Sequence, residues 1–431
     1  MNRLLQLTTY GIKNIEKEIV IDFSNSTIER GIKKVNNVKG IFGYNGAGKS
    51  ALITAVDFYK NIVCGSNFLM QNETKERLSK LINFKTNEFF ISIVFEYRKD
   101  VVMKHSIKLS KNDISHDYII SEEVLSLLVG RTLNDKYKEL IRKENKTINT
   151  DELSGIEYLK AKELDYNSFI QVILKELLDK SNGDKLKVSQ IENYALDCFS
   201  FASNIEVDLQ VSDMHNNYFI DRNAIKKLLV NDDNSIGTAI DKWISVYVDD
   251  DTVSKEEFEQ YKKDNKKLER FIRIFKPELK EIRLDTQEDK NLIHIRKTFV
   301  YDEYNVEYEF ESSGIKQLVK LFSYLLRCAN GSITFIDEID ANINAVYFEK
   351  LISYYRQYGE GQLIFTTHNL EAMKALKSQS RSIAVLGVDG KVDIWVKEGN
   401  RSPIADYVSG AFPNSPMNVE DFDFINIFSG E

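Results

Sequence analysis

Four short stretches hold residues whose types and spacing suit phosphate chemistry. The first is Gly43-Tyr44-Asn45-Gly46-Ala47-Gly48-Lys49-Ser50, followed by Ala51. It fits Gly-x4-Gly-Lys-Ser/Thr at every fixed position. The glycines let backbone N–H groups curl around phosphate oxygens, Lys49 reaches the β- and γ-phosphates, and the Ser50 hydroxyl is a Mg²⁺ ligand. In the second, the apolar run from Ser332 ends in Asp337 and Glu338. Asp337 suits Mg²⁺, and a carboxylate beside the metal, Glu338, can take the proton of an attacking water. The third, Thr366-Thr367-His368, follows Leu363-Ile364-Phe365. Its imidazole, one strand–helix unit past the acids, can hydrogen-bond a γ-phosphate and hold the water. Lys49, Glu338 and His368 are therefore the catalytic candidates, Ser50 and Asp337 the metal candidates, and residues 43–51 the phosphate cradle. The fourth stretch is Glu311-Ser312-Ser313-Gly314-Ile315-Lys316-Gln317-Leu318. Alone it reads as a capped helix. Beside a cradle already completed by Lys49 and Asp337, a second anion-seeking turn suits a phosphate held by a neighbouring subunit, through Ser312, Ser313 and Gly314.

These residues need strands to end on and helices to begin from. Residues 38–42 form an apolar strand before the glycine loop, and 49–63 carry helical spacing after it. Strands are expected at 2–9, 17–23, 88–97, 101–109 and near 117–121. From 122 to about 285 the Lys- and Glu-rich pattern reads as mainly helical, with one clear amphipathic helix at 254–276 capped by Ser254 and Glu257. Strands follow at 291–300 and 304–311, then helix 315–328, strand 332–336, helix 344–358, strand 362–366, helix 369–377 and strands near 382–386 and 391–396. Alternating strands and helices at both ends of a helical middle indicate an α/β nucleotide-binding fold interrupted by an insertion. The expected division is 1–121, 122–290 and 291–431.

Composition narrows the class. At roughly 100–200 residues per domain, 431 residues make two to three units. A hydrophobic share of 42% supports cores, and 29% charged residues with 20 Gly and 4 Pro exclude fibrous classes. Lys plus Arg number 58 against 66 Asp plus Glu, a net charge of −8, so no broad basic face is present. The basic group Lys262, Lys263, Lys266, Lys267, Arg270 and Arg273 leaves nucleic acid open as a partner, although Glu257 and Glu269 nearby favour a solvated helix face. Cys64, Cys198 and Cys328 fit no disulfide or zinc spacing, which points to a reducing, cytoplasmic compartment. Neither a signal peptide nor a membrane-spanning run is legible. His105, His116, His215 and His294 lack the context of His368.

The order of the four stretches resembles the ABC-type ATPases, and in particular the branch of AAA family ATP-binding proteins that includes SMC, RecF and OLD-type proteins. Residues 43–50 look like Walker A, 332–338 like Walker B with its catalytic glutamate, 311–318 like the signature motif, Asp340 like the D-loop and His368 like the switch histidine. Tyr10-Gly11-Ile12-Lys13-Asn14, with Ile-Asp-Phe at 21–23, is similar to the opening of these proteins. The resemblance covers about 1–120 and 290–431. It implies a P-loop NTPase fold of ABC-ATPase type with a mixed sheet, an antiparallel β subdomain and a compact helical insertion. It also implies ATP and Mg²⁺ as cofactors, hydrolysis of ATP, and a homodimer or higher homo-oligomer. Two departures stand out. The signature reads Ser-Ser-Gly rather than the transporter Ser-Gly-Gly-Gln, and the only nearby candidate for a Q-loop glutamine is Gln71. Too few residues follow His368 for the Toprim nuclease of OLD proteins, and Asp421 and Asp423 read as solvated charges. The resemblance therefore implies an ATPase serving a separate effector, a nuclease or toxin. Tyr407-Val408-Ser409-Gly410 and Phe412-Pro413 are similar to the C-terminal pattern of phage-defence ATPases. The other reading is a RecF-like or SMC-like DNA-binding maintenance scaffold.

Overall fold

The computed structural model describes residues 2–24, 37–98, 100–150, 156, 158–160, 163–180, 188–209, 251–341, 343–412 and 414–415. Three sheets are present among them. The first is antiparallel and seven-stranded. It comprises β1 (Arg3–Tyr10), β2 (Ile19–Asp22), β4 (Glu88–Glu96), β5 (Val102–Lys111), β6 (Tyr118–Leu128), β7 (Tyr137–Glu144) and β8 (Thr147–Thr150), in the order β2-β1-β4-β5-β6-β7-β8. The second contains β3 (Val38–Gly43), β9 (Ile205–Asp208), β14 (Ile333–Ile336), β15 (Gln362–Thr366), β16 (Ile383–Leu386) and β17 (Val392–Ile394), in the order β17-β16-β3-β15-β14-β9. Its first five strands in sequence run parallel, and only the edge strand β17 is antiparallel. The third sheet joins β10 (Thr252–Ser254), β12 (Leu292–Tyr301) and β11 (Leu279–Asp289), with β13 (Asn305–Glu307) on β12.

The parallel sheet is buried on both faces, as its continuous apolar runs require. β3, β14, β15 and β16 have every residue buried. Helix α1 (Lys49–Cys64) lies between this sheet and the antiparallel one, so 12 of its 16 residues are buried. Packed with it are α3 (Phe169–Lys180) and α4 (Gln190–Ser203), while α2 (Asn72–Leu81) sits at the rim. On the other face lie α5 (Phe258–Phe275), α6 (Ser313–Ala329), α7 (Ala345–Tyr358), α8 (Glu371–Leu376) and α9 (Pro403–Val408). The result is an α/β fold in which a mostly parallel sheet with helices on both faces is joined to an antiparallel β subdomain.

The expected helical middle differs in its elements. Position 122 falls inside β6, and β7 to β11 all lie between 122 and 290. Tyr137–Glu144 reads as helical because its Lys and Glu residues outnumber its apolar ones, yet only Leu140, Ile141 and Lys143 are buried. Strand β9 and helix α4 belong to the main core. Ser254 does bond Glu257, but as a turn that precedes the helix, which starts at Phe258. The strand expected at 304–311 is reduced to β13 and a 3₁₀ turn at Tyr308–Phe310. His215, Pro413, Asp421 and Asp423 lie outside the described residues.

Candidate functional site

In a parallel sheet the crevice outside the carboxyl ends of the strands is the natural binding place. Gly43, Asp208, Ile336, Thr366 and Leu386 are the carboxyl-terminal residues of the five parallel strands. Register sets Ile336 opposite both Phe365 and Asp208, and Leu386 opposite Gly43. Four of the sequence candidates follow directly: the glycine loop after β3, Asp337 and Glu338 after β14, and His368 after β15.

The glycine loop is built for close approach. Gly43, Gly46 and Gly48 have φ of 135°, 79° and 102°, a region open to glycine. A Cβ on Gly43 would fall 2.2 Å from the Leu386 carbonyl oxygen, whereas Gly46 has open space in front of it. The amides at the start of α1 have no intrahelical acceptors and are left to a ligand. Lys49 is buried, and its Nζ donates to the carbonyl oxygens of Gly43 (3.0 Å) and Tyr44 (2.8 Å). Burial pushes its pKa down, while Asp337 and Glu338 oppose the shift, so the ammonium shares its surroundings with both carboxylates. Asn45 and Gly46 are exposed, Ala47 and Ala51 are buried, and Ser50 is half-buried at the mouth.

One threonine organises the acids. Thr366 Oγ1 accepts from the Glu338 N–H (2.8 Å) and donates to Asp337 Oδ1 (2.6 Å). The Asp337 N–H donates to the Asp208 carbonyl at 2.9 Å. Asp337 is buried, whereas Glu338 is exposed and has φ 49°, a strained conformation for a residue with a side chain. His368 is exposed nearby. Partial burial and then Lys49 lower its pKa, against Glu338, Asp340 and Asp337, which favours the neutral ring. Thr367 Oγ1 donates to Asp340, which ties the D-loop candidate to the histidine turn.

This donor set fits ATP–Mg²⁺. Among the described residues no group of three or more His, Cys, Asp or Glu side chains could hold a metal by itself. Mg²⁺ is usually held by one or two carboxylates together with substrate phosphates, and the hard oxygens of Ser50 and Asp337 suit that role.

Sequence reasoning gave no role to Lys13, Asn14, Thr366 and Asp208. Asn14 Nδ2 donates to the Gly46 carbonyl, and Lys13, although exposed, is desolvated enough by its neighbours to lower its pKa, with Asp337 opposing. The left-handed turn at Gly11 and Lys13 brings them there, within the Tyr10–Asn14 stretch that the sequence marked only as a resemblance. Asp208 carried none. Gln71 sits at the N-cap of α2, with no described contact to the glycine loop.

The signature candidate lies elsewhere on the surface. Ser312 caps α6, its Oγ accepting from the Ile315 N–H at 3.3 Å. Ser312 and Ser313 are exposed, Gly314 is half-buried, and no described hydrogen bond or ion pair joins them to the glycine loop. On α5 the basic group is largely neutralised: Lys262 pairs with Glu259, Lys267 with Asp264, and Lys266 and Arg273 with Glu269. His105 is wholly buried against Glu123 and Tyr59. His116 lies in a turn, and His294 meets Thr252.

Comparison with known proteins gives a partial match to one family model. Residues 200–374 match a family model described as "AAA domain, putative AbiEii toxin, Type IV TA system". No curated protein matches the chain. Among solved structures, an Smc head bound to the C-winged helix domain of ScpA is 15% identical, covers 91% of this chain and 97% of its own, and gives a TM-score of 0.40. A Pyrococcus furiosus Smc head with an extended coiled coil, bound to the C-terminal domain of ScpA, is 16% identical over 91% and 96%, at 0.42. The SMC head domain from Thermotoga maritima is 18% identical over 92% and 100%, at 0.33. No helix among the described residues is long and apolar enough to cross a membrane.

Proposed function

We propose that the chain is an ATPase that dimerises head to tail around two ATP–Mg²⁺ and couples hydrolysis to the control of a separate effector protein. The observation that carries this reading is the division of phosphate-binding elements between two surfaces. Lys49, Ser50, Asp337, Glu338 and His368 gather at one carboxyl edge, while Ser312, Ser313 and Gly314 face solvent at the start of α6. A second copy, docked in reverse, would bring the latter to the former.

Each residue then has a task. The amides of 45–51 hold the phosphates, with Lys49 released from the Gly43 and Tyr44 carbonyls to reach them. Ser50 and Asp337 would hold Mg²⁺, which supplies charge neutralisation on the transferring phosphoryl group. Glu338 accepts the water's proton, and neutral His368 orients the water against the γ-phosphate. Ser312 and Ser313 of the other copy donate to that phosphate, so hydrolysis removes the link between subunits. The effector reading, a nuclease or toxin in anti-phage defence, draws on the toxin–antitoxin wording of the matched family.

The test is solution mass with and without ATP–Mg²⁺. Glu338→Gln should bind ATP, double its mass only with ATP–Mg²⁺ and hydrolyse at least a hundredfold more slowly, since general acid–base help is worth roughly 10²–10⁴. Lys49→Ala should neither bind nor dimerise. A constant mass in Glu338→Gln beside normal hydrolysis in the wild type would remove the dimer from the mechanism.

A further inference from the structure

Strand β9 is the edge of the parallel sheet beside β14. Its side chains alternate, as a strand's must. Ile205 and Val207 join the core around α1, α3 and α4. Glu206 and Asp208 form ion pairs with α6. Asp208 Oδ1 lies 2.7 Å from Lys320 Nζ, and Glu206 Oε1 lies 3.3 Å from Arg327 Nε. Lys320 and Arg327 are seven residues apart, about two helical turns, and so share one face of α6. Glu206 also meets Lys60 of α1, at 3.6 Å. The Asp208 carbonyl takes the N–H of Asp337, and Lys320 and Asp208 line the same cleft as Asp337 and Glu338.

Three elements of the proposed mechanism thus meet on one short strand. Helix α6 starts at the exposed Ser312–Gly314 turn, α1 starts at Lys49, and β14 leads directly into Asp337. The acids and Arg327 are well shielded, with Glu206, Asp208 and Arg327 side chains 12%, 14% and 2% exposed, and Lys320 is partly shielded at 29%. Ion pairs this sheltered from water and salt hold geometry better than surface pairs. A rigid-body shift of α6 would therefore move β9, and with it the backbone that holds Asp337.

We infer that Asp208 and Glu206 are positioning residues that carry engagement of α6 by a second copy's nucleotide to Asp337 and α1 of the same chain, so that the two sites of a dimer hydrolyse cooperatively. This rests on the dimer proposed above. It assigns the pair no contact with the nucleotide.

The test uses full-length Asp208→Asn, Lys320→Gln and the charge-keeping Lys320→Arg. Both charge-removing variants should bind a fluorescent ATP analogue as the wild type does. Combined with Glu338→Gln they should still gain mass with ATP–Mg²⁺. With Glu338 intact, kcat should fall on the order of ten- to hundredfold, the scale of a misplaced catalytic group. The Hill slope for ATP should drop from above one to one, and Lys320→Arg should keep both. Wild-type kcat and slope in Asp208→Asn and Lys320→Gln overturn the inference, as does a wild-type slope of one. A rate loss accompanied by weakened analogue binding, or shared by Lys320→Arg, also overturns it, since the pair would then be a structural prop. Failure of Glu338→Gln alone to gain mass would instead strike the dimer reading.

Discussion

Thr366 shows how little chemistry separates an acidic strand end from a working site. Its hydroxyl is the only described side-chain group that bonds both the Asp337 carboxylate and the Glu338 amide. It therefore sets the metal candidate and the base candidate relative to each other. Thr366→Val keeps the shape of the side chain but strands the Glu338 N–H and one lone pair of Asp337. Losing a buried hydrogen-bond partner costs about 1–3 kcal/mol, and the strained Glu338 turn would relax. Steady-state hydrolysis should fall about tenfold or more, because the base moves off its line to the water. Thr366→Ser keeps the hydroxyl and should stay close to wild type. If Thr366→Val hydrolyses ATP normally, the threonine does not set the acids. The Thr366-Thr367-His368 sequence suggested only the histidine. The threonine's role depends on β15 lying beside β14, a pairing across 28 residues of chain that spacing alone does not disclose.

At the scale of elements, much of the frame was legible and the middle was not. β3, β14, β15 and β16 were readable because buried parallel strands are continuous apolar runs, and α1 because the glycine loop fixes where it begins. β7 and β9 were not. The first hides a strand in charged residues. The second is four residues of mixed character whose identity is decided by the neighbour it joins, β14. Helix α1 is also held by contacts no motif marks. Tyr59 Oη meets His105 Nδ1 at 3.0 Å, His105 Nε2 meets Glu123 Oε1 at 3.0 Å, and Glu123 in turn accepts from Ser168 and, at 2.9 Å, from the Phe169 N–H at the start of α3. His105, Glu123, Tyr59 and Ser168 are fully buried. This polar chain joins α1, β5, β6 and α3 through the inside of the core. Glu123→Ala would leave three polar groups unanswered in a dry interior. Removing one member of such a buried set costs about 3–5 kcal/mol, so the denaturant midpoint should drop sharply. A change below about 0.5 kcal/mol, within the range of surface substitutions, would show that the chain of bonds does not brace α1.

Across the whole molecule, the separation of the glycine loop from the Ser312–Gly314 turn gives the proposed dimer a prediction that no single-chain P-loop enzyme shares. A closed two-fold dimer buries the same patch on both copies, so each nucleotide would lie between the glycine loop of one and the Ser312–Gly314 turn of the other. Consider Lys49→Ala, which loses the cradle but keeps the turn, and a Ser312→Ala/Ser313→Arg double variant, which loses the turn but keeps the cradle. Neither should hydrolyse ATP alone. Mixed, they can form heterodimers in which one interface combines an intact cradle with an intact turn. Because neither variant can pair productively with itself, the productive dimers are the mixed ones, each with one of two sites, so activity should recover to at most about half of wild type if the sites act independently. Coupling through Asp208 and Glu206 would hold recovery below that figure, because the mixed dimer's second site cannot engage α6. A mixture as inactive as its components would mean the turn serves no partner. Activity in the Ser312/Ser313 variant by itself would mean the cradle, Asp337, Glu338 and His368 suffice within one chain.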